Sequence, residues 1–239
     1  MEYIKVAGLK LDINSKPILN NIDFTLEKGK IVVLLGPNGS GKTTLLKALN
    51  GLIKIKEGQI TDNKKQVDFL NKSILVFDEP VLYEELTGME HIRFIMELNS
   101  CDYKKQKEQI SYMIQQFELK PYMNKLIGTY SLGTKKKIQF LCALLCKSDI
   151  ILMDEYISGL DPQILYSVKK IMREYVKEGH TILLSTHMLD MAERFCDDVI
   201  LINEGRVVSN GTESIDNILG QYGSLEKYYI TKALPVSDN

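Results

Sequence analysis

The segment from Ile31 to Thr43 carries the strongest structural signal in the chain and reads IVVLLGPNGSGKT. Its first five residues are all apolar, which predicts a strand buried on both faces. The other eight match the pattern G-x-x-x-x-G-K-[ST], and residues 43–50 predict a helix that Gly51 closes. A strand, a glycine-rich loop and a helix in this order predict a phosphate-binding loop.

The chemistry of phosphate binding explains the residue types of this loop. Glycines let the backbone wrap a phosphate without Cβ clashes, and N–H groups at a helix N-terminus point at the anion. The Lys42 ammonium can reach the β- and γ-phosphates, and the Thr43 hydroxyl can bind Mg²⁺. The predicted ligands are therefore a nucleoside triphosphate and Mg²⁺. The residues expected to hold them here are Gly36, Pro37, Asn38, Gly39, Ser40, Gly41, Lys42, Thr43 and Thr44.

Buried strands and helices alternate along most of the chain, which is typical of an α/β fold with a mainly parallel sheet and helices on its faces. Between residues 86 and 119 apolar residues repeat at helical spacing instead, which predicts a helical insertion. The other predicted strands span 3–6, 22–26, 73–77, 150–153, 181–185 and 199–203, and the other helices 136–146 and 163–178.

We expect a single domain, residues 1–233, followed by a flexible tail at 234–239. Within it, 1–78 and 131–233 form the α/β core, and about 79–130 form the helical insertion.

A second candidate site lies at the end of the predicted strand 150–153, where two carboxylates follow. Strand ends in open α/β sheets are where ligands bind. Asp154 suits the acid that orients Mg²⁺, and Glu155 suits a general base for the attacking water. His187 follows the strand at 181–185 and could contact the γ-phosphate, although a lone histidine in such a position often has no special role.

Composition excludes several classes of protein. The 239 residues include 30 basic and 31 acidic side chains, so binding of nucleic acid by bulk charge is not expected. No apolar run reaches the roughly 20 residues that cross a bilayer, and the N-terminus lacks the pattern of a signal peptide, so we expect a cytosolic chain. Cys142 and Cys146 lie one helical turn apart without a nearby histidine, and we expect reduced thiols rather than a zinc site.

Together these segments resemble the nucleotide-binding subunit of ATP-binding cassette (ABC) transporters over nearly the whole chain. The motifs stand in that family's order: phosphate loop, helical insertion, signature, acidic strand, aspartate loop and switch histidine. The resemblance implies a P-loop fold with a RecA-like sheet, an antiparallel β subdomain at the N-terminus, and ATP as the nucleotide. It also implies that Asp154 and Glu155 are the Walker B pair, that Asp161 contacts a second subunit, and that His187 is catalytic.

The signature motif departs from the family's LSGGQ. Tyr130-Ser131-Leu132-Gly133-Thr134 keeps the serine and the second glycine. In the family this loop binds the γ-phosphate held by the other subunit, and the resemblance implies that role for Ser131 and Gly133. The run Lys135-Lys136-Lys137 either adds positive charge near that phosphate or, as is commoner, forms a solvated helix face.

Two other positions depart from the family pattern. The glutamine that ligates Mg²⁺ aligns with Asp78, whose carboxylate can also ligate Mg²⁺. The aromatic residue that stacks on adenine aligns with Ile13, which offers apolar contact without π-stacking. We therefore expect weaker nucleotide binding or poorer base selectivity.

The resemblance implies an ATPase subunit that drives a separate integral membrane permease. Two copies, or this chain and a related one, would sandwich two Mg·ATP head to tail on the inner face of the cell membrane. Size and signature resemble subunits that export drugs, peptides or similar compounds. The permease would dock on the insertion, where Leu82, Tyr83, Leu86 and Met89 supply apolar groups.

Two alternatives belong to other classes. One is a soluble cassette ATPase acting on nucleic acid, the ribosome or a cofactor-assembly scaffold; co-purification with a membrane protein would discriminate. The other is a small-molecule kinase with the same phosphate loop, which leaves Ser131, Glu155 and Asp161 unexplained.

Overall fold

The computed structural model describes residues 3–62, 65–66 and 72–233, and the predicted tail at 234–239 lies outside this part of the chain. In the described part, no helix is both long enough and apolar enough to cross a membrane. The strands are β1 (Tyr3–Ile13), β2 (Lys16–Glu27), β3 (Ile31–Leu35), β4 (Glu57–Asp62), β5 (Lys65–Gln66), β6 (Ser73–Val76), β7 (Ile150–Asp154), β8 (Thr181–Ser185), β9 (Asp198–Asn203), β10 (Arg206–Val207) and β11 (Glu213–Ser214). The helices are α1 (Lys42–Leu49), α2 (Gly88–Leu98), α3 (Lys107–Gln116), α4 (Leu132–Leu145), α5 (Pro162–Lys177), α6 (Leu189–Phe195), α7 (Ile215–Tyr222) and α8 (Leu225–Ala233).

The strands form two sheets. Over the described residues the larger sheet has the order β10-β9-β3-β8-β7-β6, and β11 also pairs with β9. Its strands β9, β3, β8, β7 and β6 run parallel, whereas β10 and β11 run antiparallel to β9. The smaller sheet has the order β2-β1-β4-β5 and is antiparallel. The predicted α/β class with a mainly parallel sheet is confirmed, as is the antiparallel β part near the N-terminus.

The side chains of β3 alternate between two hydrophobic cores on opposite faces of the larger sheet. Val33 packs in the core that includes residues of α4 and α5. Val32 and Leu34 pack in the core that includes α1, β1 and β2. All five residues of β3 are buried, which accounts for the uninterrupted apolar run. Burying each such side chain contributes about 1.5–3 kcal/mol to stability.

The helical region after β6 contains two α-helices, α2 and α3, within the stretch 86–119 where the periodicity predicted helical structure. Helix α2 begins with a capping box, in which Thr87 accepts from the Glu90 N–H and the Glu90 side chain accepts from the Thr87 N–H. It ends before Ser100, whose φ of 56° is incompatible with a helix. The apolar spacing continues across the break because both helices pack on the same core.

Helix α4 begins at Leu132, four residues before the predicted start at 136. The Ser131 side chain accepts a hydrogen bond from the Thr134 N–H and so caps the helix. Capping by serine satisfies a donor that the first turn leaves free. The signature motif therefore contains a helix N-terminus, and the lysine run lies inside the helix.

The parallel strands place the predicted site residues at one edge of the larger sheet. The phosphate loop follows β3, Asp78 follows β6, Glu155 follows β7, and His187 follows β8. Because these strands run parallel, their carboxyl ends meet at the same edge.

Candidate active site

The phosphate loop, residues 36–41, joins β3 to α1 and depends on its glycines. A Cβ on Gly36 would lie 2.2 Å from the Ile202 carbonyl oxygen, so a larger residue would push the loop away from β9. Gly41 has a φ of 105° and caps α1. That left-handed conformation disfavours residues with a side chain. The glycines thus allow a tight turn that leaves the N-terminus of α1 facing the sheet edge.

Lys42 folds its side chain back over the loop. Its Nζ donates to the carbonyl oxygens of Gly36 at 2.8 Å and Pro37 at 3.1 Å. Burial lowers the pKa of Lys42, while the carboxylates of Glu155 and Asp154 act in the opposite direction. A phosphate would replace these two neutral acceptors by charged ones, which make stronger hydrogen bonds.

Thr43 and Asp154 bring two oxygen ligands together at the sheet edge. The Thr43 hydroxyl donates to Asp154 Oδ1 at 3.0 Å, and the Ser185 hydroxyl donates to the same oxygen at 2.8 Å. Hydroxyl and carboxylate oxygens are the ligands that Mg²⁺ prefers. Among the described residues, the buried Ser40 hydroxyl inside the loop has no hydrogen-bond partner. These residues fit a nucleotide phosphate with its Mg²⁺.

Glu155 follows β7 with a φ of 48° and makes contacts different from those of Asp154. Its N–H donates to Ser185 Oγ at 3.0 Å. Its Oε2 accepts from the Ser158 hydroxyl at 3.1 Å and lies 3.0 Å from His187 Nδ1. Most of the His187 side chain is exposed, and the Glu155 carboxylate lies close enough to Lys42 of the phosphate loop to counteract the lowering of that lysine's pKa by burial. This is a geometry in which a carboxylate can accept a proton from water.

The lysine run at 135–137 was expected to form a solvated helix face, but one of its residues is buried against Asp78. Lys136 is only 3% exposed, so the expectation of a solvated face is wrong for this residue. Its Nζ donates to Asp78 Oδ1 at 2.7 Å. Among the described residues no hydrogen bond joins Asp78 to Thr43 or Asp154. The structure thus brings Asp78 to a lysine, and its assignment as a metal ligand stays a prediction.

The remaining predicted site residues belong to three other parts of the fold, namely α4, α5 and the β1–β2 hairpin. Ser131 caps α4, and Asp161 caps α5 by accepting from the Gln163 and Ile164 N–H groups. A Cβ on Gly133 would lie 3.1 Å from Ile164 Cδ1, so this glycine lets α4 approach α5. Ile13 lies in the β1–β2 hairpin, whose Leu19 neighbours Gly41. No hydrogen bond within the described chain links these residues to Lys42 or Glu155.

Sequence reasoning missed two residues of this region. Ser185 connects Asp154 to Glu155 through one hydroxyl, and Lys136 holds Asp78. A polar residue at the end of the buried strand β8 could have indicated Ser185. The second half of α4 is buried on nearly every face, which could have indicated that Lys136 lies on a buried face too.

Comparison with known proteins agrees with this site. The model of the family described as ABC transporter matches residues 19–158, more than half of the chain. The ABC-type transporter ATP-binding protein EcsA of Bacillus subtilis is 32% identical over 90% of this chain and 89% of its own length. The lantibiotic transport ATP-binding protein SrtF of Streptococcus pyogenes is 26% identical over 94% of this chain and 99% of its own length.

A solved structure of an ATP binding subunit of an ABC transporter superposes with a TM-score of 0.88 at 30% identity. The match covers 95% of this chain and 98% of that one. The sequence-based resemblance is therefore confirmed by family, relatives and structure alike. This chain belongs to the family of ABC transporter ATP-binding subunits, which are ATPases coupled to transport.

Proposed function

We propose that this chain powers an exporter: it binds and hydrolyses ATP on the inner face of the cell membrane and drives a separate integral membrane permease. The observation that carries the proposal is the convergence of Lys42, the Thr43–Asp154 pair and the Glu155–His187 pair at one edge of the larger sheet. These groups supply a cation for phosphate, oxygen ligands for Mg²⁺ and a carboxylate for water.

Each of these residues has a distinct proposed role in the conversion of ATP and water to ADP and phosphate. Lys42 binds the β- and γ-phosphates. Thr43 and Asp154 would hold Mg²⁺, which would neutralise phosphate charge. Glu155 orients the attacking water and accepts its proton, and His187 holds the Glu155 carboxylate and contacts the γ-phosphate. Residues 36–44 form the cradle.

A second subunit would complete each site. The α4 N-terminus at Ser131 and the close approach at Gly133 offer N–H donors to a γ-phosphate. Leu132 is 61% exposed beside them, which suits a surface that another chain covers. Asp161 caps α5, whose Ile164 approaches Gly133. We propose a head-to-tail dimer, formed by two copies or with a related chain, in which ATP favours the closed state.

The helical insertion, which we place at about residues 79–130, is the proposed contact with the permease. Tyr83 is half exposed and meets Phe94 edge-on at 4.9 Å. Val81 beside it is 72% exposed, while Leu82, Leu86 and Met89 are partly buried. This apolar surface begins directly after Asp78, so movement of the site is transmitted to the docked permease over a short distance.

Export of a drug, peptide or similar compound is the proposed direction. SrtF, a lantibiotic transport protein by name, matches this chain along almost its entire length. The experiment is to express the chain with a tag, identify the membrane protein that co-purifies, and measure ATP-dependent movement of candidate peptides in membrane vesicles. Recovery with a cytosolic scaffold or the ribosome would favour the soluble ATPase instead. Inward transport would overturn export alone.

The catalytic role of Glu155 is tested by Glu155→Gln, which keeps the shape of the side chain but cannot accept a proton. We expect ATP to bind with unchanged affinity while turnover falls by about 100-fold or more. The matched control is Glu178→Gln at the exposed end of α5, which should hydrolyse ATP like the wild type. Wild-type turnover in Glu155→Gln would remove Glu155 from this role.

A further inference from the structure

Lys136 is a buried cation in α4 whose ammonium group uses all of its hydrogens. Its Nζ donates to Asp78 Oδ1 at 2.7 Å, to the Ser158 carbonyl at 3.0 Å and to the Tyr156 carbonyl at 3.2 Å. Lysine is almost never buried unless its charge is paired, because an unpaired ammonium is costly to remove from water. The three acceptors stabilise the charge in this position.

These acceptors come from two loops at the edge of the larger sheet. Asp78 lies in the loop after β6, and Tyr156 and Ser158 lie in the loop after β7. The link to the second loop runs in both directions, because the buried Tyr156 hydroxyl donates to the Lys136 carbonyl at 2.8 Å. One residue therefore ties helix α4 to both loops.

Glu155 lies in the loop that Lys136 holds. Its φ of 48° is unusual for a residue with a side chain, and such a conformation persists only where the surrounding contacts fix it. Ser158 provides a direct connection, since its carbonyl accepts from Lys136 while its hydroxyl donates to Glu155 Oε2. A change at Lys136 thus reaches the Glu155 carboxylate through one intervening residue.

We propose that Lys136 is a positioning residue for ATP hydrolysis, that it fixes the loop in which Glu155 faces the attacking water, and that Asp78 is its counter-ion. The inference rests on the role proposed above for Glu155. It accounts for a carboxylate at position 78, because a neutral residue there would leave a buried ammonium without an anionic partner. Since Ser131 caps α4, displacement of the helix's first turn would also reach Glu155 through Lys136.

The first test compares Lys136→Met with Lys135→Met in the purified full chain. Lys135 directly precedes Lys136 in the same helix, but its ammonium group pairs with Glu84 near the surface. For Lys136→Met we expect turnover to fall about tenfold or more, because a small misplacement of a catalytic group is costly. The dissociation constant for ATP, measured without Mg²⁺, should stay close to the wild-type value. Lys135→Met should match the wild type in both measurements.

The second test pairs Lys136→Met with Asp78→Asn. Two residues that act as a unit give non-additive effects, so the double variant should turn over no more slowly than Lys136→Met. Asp78→Asn alone leaves the buried cation unpaired and should melt at a lower temperature than the double variant. Additive losses of turnover and melting temperature would overturn the pairing of Asp78 with Lys136.

A conservative variant separates positioning from a purely structural role. Lys136→Arg keeps the charge and should turn over ATP faster than Lys136→Met. If Lys136 were only structural, Lys136→Met would instead lower the melting temperature and would weaken ATP binding and turnover together. If Lys136→Met does not fold, Lys136→Gln replaces it with the same expectations. Turnover equal to that of Lys135→Met would overturn this inference and leave the ATPase intact. Absence of turnover in the wild type would overturn the proposed role of Glu155 as well.

Discussion

The left-handed backbone of Glu155 gives two adjacent carboxylates different tasks. Asp154 ends β7 with its Oδ1 against the hydroxyls of Thr43 and Ser185. At the next residue φ changes to 48°, and the Glu155 carboxylate lies against His187 instead. This conformation costs about 1–2 kcal/mol for a residue with a Cβ. The strain is offset by the hydrogen bonds of the loop and separates the proposed metal ligand from the proposed base.

Gly36→Ala should destabilise the protein by about 1–3 kcal/mol and weaken ATP binding, because the added methyl group would overlap the Ile202 carbonyl. Urea unfolding and an ATP titration measure the two effects. The control is Gly220→Ala in α7, where a Cβ meets no atom within 4 Å. It should raise stability by about 0.5–1 kcal/mol, because alanine is the better helix former. Equal effects of the two changes would contradict this account of Gly36.

Helix α2 carries a buried histidine whose charge state affects its packing. His91 is 1% exposed, its Nδ1 has no hydrogen-bond partner in the described part of the chain, and its ring lies 5.9 Å from that of Tyr83. Burial lowers the pKa of His91 to about 4. The helix therefore packs with a neutral imidazole at pH 7, beside an apolar cavity of about 180 Å³ that Val81 and Gln139 also line.

Acidification should lower the free energy of unfolding, because the unfolded chain binds a proton at His91 more readily than the folded chain does. Between pH 6.5 and about 4 the unfolded chain protonates His91 while the folded chain does not, so stability falls as pH falls through that window. His91→Phe should lose less stability than the wild type between pH 7.5 and 5, as measured by urea unfolding. Gln139→Leu changes the same cavity without a titrating group and should follow the wild-type curve. Parallel curves for all three proteins would contradict the prediction.

Prediction from sequence worked best for the elements whose residues are buried on both sides. β3 and β8 have the predicted bounds because a short apolar run between turn residues is typical of a strand covered on both faces. The break at Ser100 was missed because two helices packing on one core keep the same apolar spacing. Lys136 was misjudged because its acceptors lie far away in sequence, and charge alone cannot reveal them.

At the scale of the whole molecule, the larger sheet separates two hydrophobic cores, and β3 contributes side chains to both. Val32 and Leu34 connect the edge to α1 and the smaller sheet, while Val33 connects it to the helices of the other face. The phosphate loop follows directly from this strand. A nucleotide bound there would lie at the end of the strand whose side chains enter both cores.

The exposed α4 N-terminus predicts a nucleotide-dependent dimer. With ATP and Mg²⁺, Glu155→Gln should change from monomer to dimer in light scattering, because unhydrolysed ATP keeps the closed state. Adding Leu132→Glu should abolish the dimer, since this exposed residue borders the surface proposed to meet the γ-phosphate, and a carboxylate there would repel it. Leu98→Glu, at an equally exposed leucine in α2, should leave the dimer intact. A dimer that forms only after a related chain is added would identify a heterodimer.

If Leu132→Glu left the dimer unaffected, the two subunits would meet through a surface other than the α4 N-terminus.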